Sequence, residues 1–184
     1  LQFLTRLLDR LPAFEDGSSQ VPRVASRQPR LLRTGDLDRD LDLDVAAVSR
    51  NAELLLLSND GSGGFTEPAE LVPLPNGRSR FFDLALVDLT EDGAPELLVG
   101  DTDRNGSYTQ LLLFENNGGA LFHLFSTSGV LNSAASAGPA ALDVGDVDQD
   151  GDLDVVVAMI GDQPIVFRND GSAHFSHLPG SDVL

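Results

Sequence analysis

The stretch Gly145-Asp146-Val147-Asp148-Gln149-Asp150-Gly151-Asp152-Leu153-Asp154-Val155-Val156-Val157-Ala158 decides how the rest of the chain is read. Its carboxylates fall at alternate positions, Asp146, Asp148 and Asp150, ahead of a glycine at position 6 and two further acids, Asp152 and Asp154. Crowding that many like charges together is unfavourable unless a cation neutralises them. Hard oxygen ligands at positions 1, 3 and 5, a glycine at 6 and a backbone carbonyl at 7 are what a Ca²⁺ loop requires. The helical form of such a loop closes with Glu at position 12. Here the closing acid is Asp154 at position 9 and a β-branched run follows, so the loop joins two strands.

The pattern recurs. A first copy runs Gly35-Asp36-Leu37-Asp38-Arg39-Asp40-Leu41-Asp42-Leu43-Asp44, and a second runs Asp88-Leu89-Thr90-Glu91-Asp92-Gly93-Ala94-Pro95-Glu96. Downstream of each, an apolar run enters an Asn/Asp/Gly turn and then a phenylalanine, at 54–65, 111–122 and 165–175. Such turns between apolar runs are hairpin signals, because they need residues tolerant of positive φ. Self-similarity at this period indicates stacked supersecondary units such as propeller blades.

Each period holds four short strands, at 141–144, 153–159, 164–168 and 174–178 in the last copy. Four strands per period with little helical periodicity predict an all-β chain of four-stranded antiparallel propeller blades. Counted from Phe3, Phe65, Phe122 and Phe175, residues 1–184 form one segment with approximate repeats 3–64, 65–121 and 122–184. Residues 16–30 and 126–139 are polar or small and are expected to be loops, where a binding surface would lie. Propellers close with more blades than three, and an open stack exposes apolar faces. The expectation is therefore either a piece of a longer chain or a homo-oligomer that completes the ring.

The acidic loop followed by the Asn-Asp-Gly turn and phenylalanine resembles the FG-GAP/VCBS repeat of integrin α-subunit propellers and bacterial surface proteins. The resemblance covers essentially the whole chain and implies Ca²⁺ bound at the propeller periphery, away from the ligand-binding face. It implies as ligands Asp146, Asp148, Asp150, Asp154 and the Asp152 carbonyl in copy three. In copy one they are Asp36, Asp38, Asp40, Asp44 and the Asp42 carbonyl. In copy two they are Asp88, Thr90, Asp92, Glu96 and the Ala94 carbonyl. Copy one departs at position 6, where Leu41 must take a strained backbone angle or distort the loop. Copy two departs at positions 3 and 9, so the third loop is expected to bind most tightly and the second most weakly.

Composition fits an extracytoplasmic binding module. The net charge is −17, from 29 acids and 12 bases, which disfavours nucleic acid, since phosphate neutralisation needs a basic patch. It also disfavours docking on anionic membranes. No run approaches the length of a membrane span. With no cysteine there is no disulfide, which leaves calcium as the available staple. Weak oxygen-rich sites are populated at extracellular calcium levels, which places the chain outside the cell or at its surface. All the bases are arginine, a bias common in GC-rich bacterial genomes and a hint about source alone; in a bacterium the extracytoplasmic expectation means a secreted or periplasmic protein.

Catalytic signatures are missing: there is no cysteine nucleophile, nucleophile elbow, phosphate loop or dinucleotide fingerprint. A glycosidase pair among the aspartates is less economical than calcium loops. The segment from Asp101 to Ser107 has acceptors spaced like a fourth loop but no closing acid, and reads as a hairpin turn. His174 and His177 would fall on opposite faces of a strand, and Arg78 and Arg80 read as a solvated loop. The expectation is a non-catalytic, calcium-stabilised module that recognises a protein or carbohydrate ligand. The alternatives are a non-catalytic domain of a larger secreted enzyme and a structural subunit of a ring or filament.

Overall fold

A computed structural model describes residues 29–49, 53–66, 72–73, 80–102, 109–119, 122–131, 139–161 and 163–178. They form three four-stranded sheets. The first contains β1 (Pro29–Gly35), β2 (Asp44–Ser49), β3 (Glu53–Leu57) and β4 (Val72–Pro73). The second contains β5 (Arg80–Val87), β6 (Glu96–Thr102), β7 (Thr109–Asn116) and β8 (Phe122–Leu131). The third contains β9 (Pro139–Gly145), β10 (Asp154–Met159), β11 (Ile165–Asn169) and β12 (Phe175–Leu178). Each sheet is an antiparallel meander in chain order, and there is no helix among the described residues.

The register explains why the two sequence signals recur together. The pairs Gly35↔Asp44, Val87↔Glu96 and Gly145↔Asp154 clamp the acidic loops between the first and second strands of each sheet. The pairs Asn59↔Phe65, Asn116↔Phe122 and Asn169↔Phe175 close the turns between third and fourth strands. In the second and third sheets the phenylalanine therefore starts the last strand, so these sheets are framed one strand later than repeats counted from it, whereas Phe65 forms an isolated bridge ahead of β4. In the third sheet the predicted strands agree with the observed ones to within two residues at each end.

One segment departs from expectation. Ser126–Leu131, read as loop, continues β8 to the pair Thr109↔Leu131. Its small polar residues are weak strand formers alone, but Leu111, Leu112 and Leu113 opposite supply a ladder, and two register shifts absorb the mismatch. The fourth strand of the first sheet is described at Val72–Pro73, which pair with Leu54 and Glu53 of β3. The predicted hairpin after Asp101 is consistent with the β6–β7 pairing, which reaches Thr102↔Thr109. Residues 103–108, Arg78 and the rest of the 16–30 and 126–139 segments lie outside the described residues.

The sheets stack through two apolar layers. Alternation along a strand sends successive side chains to opposite faces, and the middle sheet uses both. Leu97, Val99, Leu112 and Phe114 pack with Val48, Leu54 and Leu56 of the first sheet. Leu98, Leu111 and Leu113 pack with Val155, Val157 and Phe167 of the third. Every residue of β6 is buried, and its apolar centre, Leu97 to Val99, serves both layers. The first strands β1, β5 and β9 lie side by side. Asp83 on β5 joins all three: one oxygen accepts from Arg33 of β1 at 2.8 Å and the other from the Leu142 amide of β9 at 3.0 Å.

Candidate metal centres

All three acidic loops wrap their backbone amides around their own carboxylates in the same way. The first carboxylate accepts the position-6 amide: Leu41 N on Asp36 at 3.1 Å, Gly93 N on Asp88 at 2.9 Å and Gly151 N on Asp146 at 3.2 Å. The fifth accepts the position-7 amide: Asp42 N on Asp40, Ala94 N on Asp92 and Asp152 N on Asp150. These bonds require a left-handed residue at position 6. Gly93 and Gly151 adopt φ of 85° and 103°, and Leu41 is forced to 74°. Leu41 therefore takes the strained angle rather than distorting the loop. Position 4 is left-handed as well, at Arg39, Glu91 and Gln149. Residue type alone does not announce this, because none of the three is a glycine.

The closing acids at position 9 are the most buried carboxylates in the loops: Asp44 and Asp154 are fully buried and Glu96 is 1% exposed. Asp154 accepts the Val147 amide at 2.9 Å with one oxygen and the Asn169 amide at 3.0 Å with the other. Asp44 does the same with Leu37 and Asn59, both at 2.8 Å. This carboxylate thus ties its loop to the Asn/Asp/Gly turn two strands away. Glu96 accepts the Leu89 amide with Oε2, but its buried Oε1 has no partner among the described residues. Burial, reinforced by the charges of Asp88 and Asp92, pushes its carboxyl up to about 7.

The loops differ in which oxygens converge. In the first, carboxylate oxygens of Asp36, Asp38 and Asp40 all lie within 4.8 Å of one another, and in the third those of Asp146, Asp148 and Asp154 do. Asp38 also carries a buried Oδ1 with no partner among the described residues, and burial with the neighbouring Asp44 and Asp40 charges raises its carboxyl above the usual range. An unpaired buried oxygen is costly, and three converging carboxylates suit a hard dication. Residues of loops one and three therefore fit Ca²⁺. In loop two Asp88, Asp92 and Glu96 form no such group and position 3 is Thr90, so it does not fit as well. Asp44 and Asp150 stand outside the converging trios of their loops.

Two guanidinium groups reach the loops. Arg39, from position 4 of loop one, crosses to loop two, donating to the Asp92 carbonyl at 2.9 Å and pairing with Asp92 Oδ1 at 3.2 Å. Arg168 on β11 pairs with Asp148 of loop three at 3.1 Å. Of the position-7 residues, Ala94 is buried, while the Asp42 and Asp152 carboxylates lie against Gly61 and Gly171 of the turns. Asp152 is raised above the usual carboxylate range by desolvation and by Asp150, Glu91, Asp170 and Asp146. His174 lies 3.5 Å from Asp170 within its own turn, and no histidine joins a metal group among the described residues.

Sequence reasoning missed the turn asparagines. Asn116 Nδ2 donates to the Leu37 carbonyl at 2.9 Å, and Asn169 Nδ2 to that of Leu89 at 3.2 Å, so each turn clasps the loop of the preceding sheet. The signal was present: an asparagine opens every turn, and an aliphatic residue sits at position 2 of every loop.

Stacked four-stranded meanders, each carrying an acidic loop between its first two strands, define a repeat protein, and the carboxylates of two of its loops could hold a cation. Residues 36–99 and 88–157 both match the FG-GAP-like repeat model, each match running from one acidic loop into the second strand of the next sheet. These matches span more than half of the chain, which therefore belongs to the FG-GAP-like repeat family. No curated protein matches it closely enough to serve as a relative.

Proposed function

We propose that the chain is a calcium-stabilised β-propeller module that acts outside the cell in recognition or adhesion, without catalysis of its own. The observation that carries this reading is the convergence of carboxylates in loops one and three, on a framework shared by all three repeats. Asp36, Asp38 and Asp40 would hold one ion, and Asp146, Asp148 and Asp154 another. A bound ion would neutralise charges that otherwise repel and so lock the first strand of a sheet to its second. FG-GAP-like repeats are typical of extracellular domains, where millimolar calcium would fill such sites. No helix among the described residues is long and apolar enough to cross a membrane. With a charge of −17, a protein or carbohydrate ligand suits the surface better than nucleic acid. The test is a thermal melt in about 2 mM Ca²⁺, the extracellular range, against EDTA. A large calcium-dependent rise is expected, and coincident melts would refute the calcium role.

The propeller geometry is supported by the side-by-side first strands, which in a propeller line the axis. One observation favours continuation or assembly beyond three sheets. The position-2 side chains Leu37 and Leu89 are 1% and 2% exposed, beneath the following sheet, whereas Val147 is 49% exposed. A further blade, in a longer chain or a second copy, would cover it. Sedimentation decides for the present chain: a mass above the monomer at micromolar concentration supports self-assembly, and a monomer opposes it.

A further inference from the structure

We infer that Arg39 and Arg168 are resident cations of the second and third acidic loops, and that the first loop is consequently the tightest calcium site. This rests on the calcium reading above and puts the first loop ahead of the third, which the loop sequences rank tightest.

The third loop has the most regular sequence, with aspartate at every expected position and glycine at position 6. Its Asp148 is nevertheless spoken for: Oδ1 accepts the Asp150 amide at 3.3 Å and Oδ2 pairs with Arg168 Nε at 3.1 Å. The equivalent Asp38 of loop one has a buried Oδ1 with no partner among the described residues. In loop two the fifth-position carboxylate Asp92 is held by Arg39. A unit positive charge within a loop must be displaced or tolerated by an entering dication. In high dielectric that changes affinity by roughly tenfold.

Loop one contains an arginine, but exports it. The Arg39 guanidinium lies over Gly118 of the second sheet's turn, where a Cβ would come within 2.8 Å of Arg39 Cζ. The residues at the same position of the other loops, Glu91 and Gln149, carry no positive charge. Loop one therefore keeps its full set of aspartates for an incoming ion, without a cation among the described residues. The strain at Leu41 does not count against it. Leu41 takes the same left-handed conformation as Gly93 and Gly151 in the other loops, so its strain falls on stability while the loop keeps the shared geometry. As exposed ion pairs, the two arginine contacts contribute little to folding; their effect is on which cation each loop accepts.

The position-6 amides report each loop separately, since each donates to the first carboxylate of its own loop. In a Ca²⁺ titration followed by ¹⁵N–¹H NMR, the Leu41 amide is expected to shift at the lowest concentration, then Gly151, then Gly93. Arg168→Gln should lower the Gly151 midpoint about tenfold and leave Leu41 unchanged, while Arg168→Lys retains the wild-type midpoint. Arg39→Gln should do the same for Gly93. Gly151 shifting before Leu41 in the wild type, or glutamine variants with unchanged midpoints, would overturn the inference. A lysine variant that behaves as glutamine would also overturn it, because charge would not be the cause. Three amides unmoved up to about 10 mM Ca²⁺, beyond the weakest extracellular constants, would bring down the calcium reading itself.

Discussion

The side-chain amide of Asn116 donates to the backbone carbonyl of Leu37, 79 residues earlier in the chain, and so fastens the turn of the second sheet onto the acidic loop of the first. The same bond joins Asn169 to Leu89 across the next seam. Asn59, the equivalent residue of the first sheet, instead donates to Leu43 in its own loop.

Asn116→Ala should therefore cost about 1–3 kcal/mol, because the buried Leu37 carbonyl loses its donor. Asn59→Ala should cost less, since its bond is solvent-exposed and crosses no seam. Urea unfolding of both variants measures the difference, and equal losses would show that the seam bond adds nothing.

Aspartates of one loop should separate into structural and cation-dependent groups. Asp154→Ala leaves two backbone amides in the interior without an acceptor, and is expected to lower the melting temperature in EDTA as well as in calcium. Asp146→Ala removes an exposed member of the converging trio, with a smaller effect in EDTA than in calcium. Parallel melts of the two variants check this, and identical profiles would mean the position-9 acid is only a ligand.

Leu41→Gly should stabilise the first loop by up to about 1 kcal/mol, since glycine adopts positive φ freely. The lost side chain is 90% exposed and gives up little packing. A drop in the urea midpoint would mean that Leu41 is supported by contacts made only in solution.

Glu96 should give the calcium-free chain a distinctive pH dependence. Its folded-state carboxyl is raised from 4.5 to about 7, so the folded protein binds the proton more tightly than the unfolded chain does. Linkage then makes the Glu96 contribution favourable at low pH and erodes it as pH rises through the window from 4.5 to about 7. The stability of Glu96→Gln, compared with wild type across that window in EDTA, should decline less steeply. Parallel curves would remove the argument.

Much of the architecture was legible because it repeats. Three acidic loops and three asparagine turns fix strand boundaries from both sides, and apolar alternation assigns the faces. The third sheet was readable to within two residues at each strand end. Segments with no repeat signal were read less well. Ser126–Leu131 is a strand only because the leucines of β7 lie opposite it, and pairing partners are not written in a local run of Ser, Thr and Gly.

The sequence by itself determined the all-β repeat, the crowding of carboxylates in the acidic loops and the choice at Leu41 between a left-handed angle and a distorted loop, because these follow from charge spacing and backbone sterics within a dozen residues. Only the tertiary structure decided that Asp154 anchors a turn as well as its own loop, that Asn116 belongs to two sheets, and that Arg39 serves the loop it does not come from. Those roles arise between residues brought together across sheet seams, where distance along the chain says nothing about distance in space.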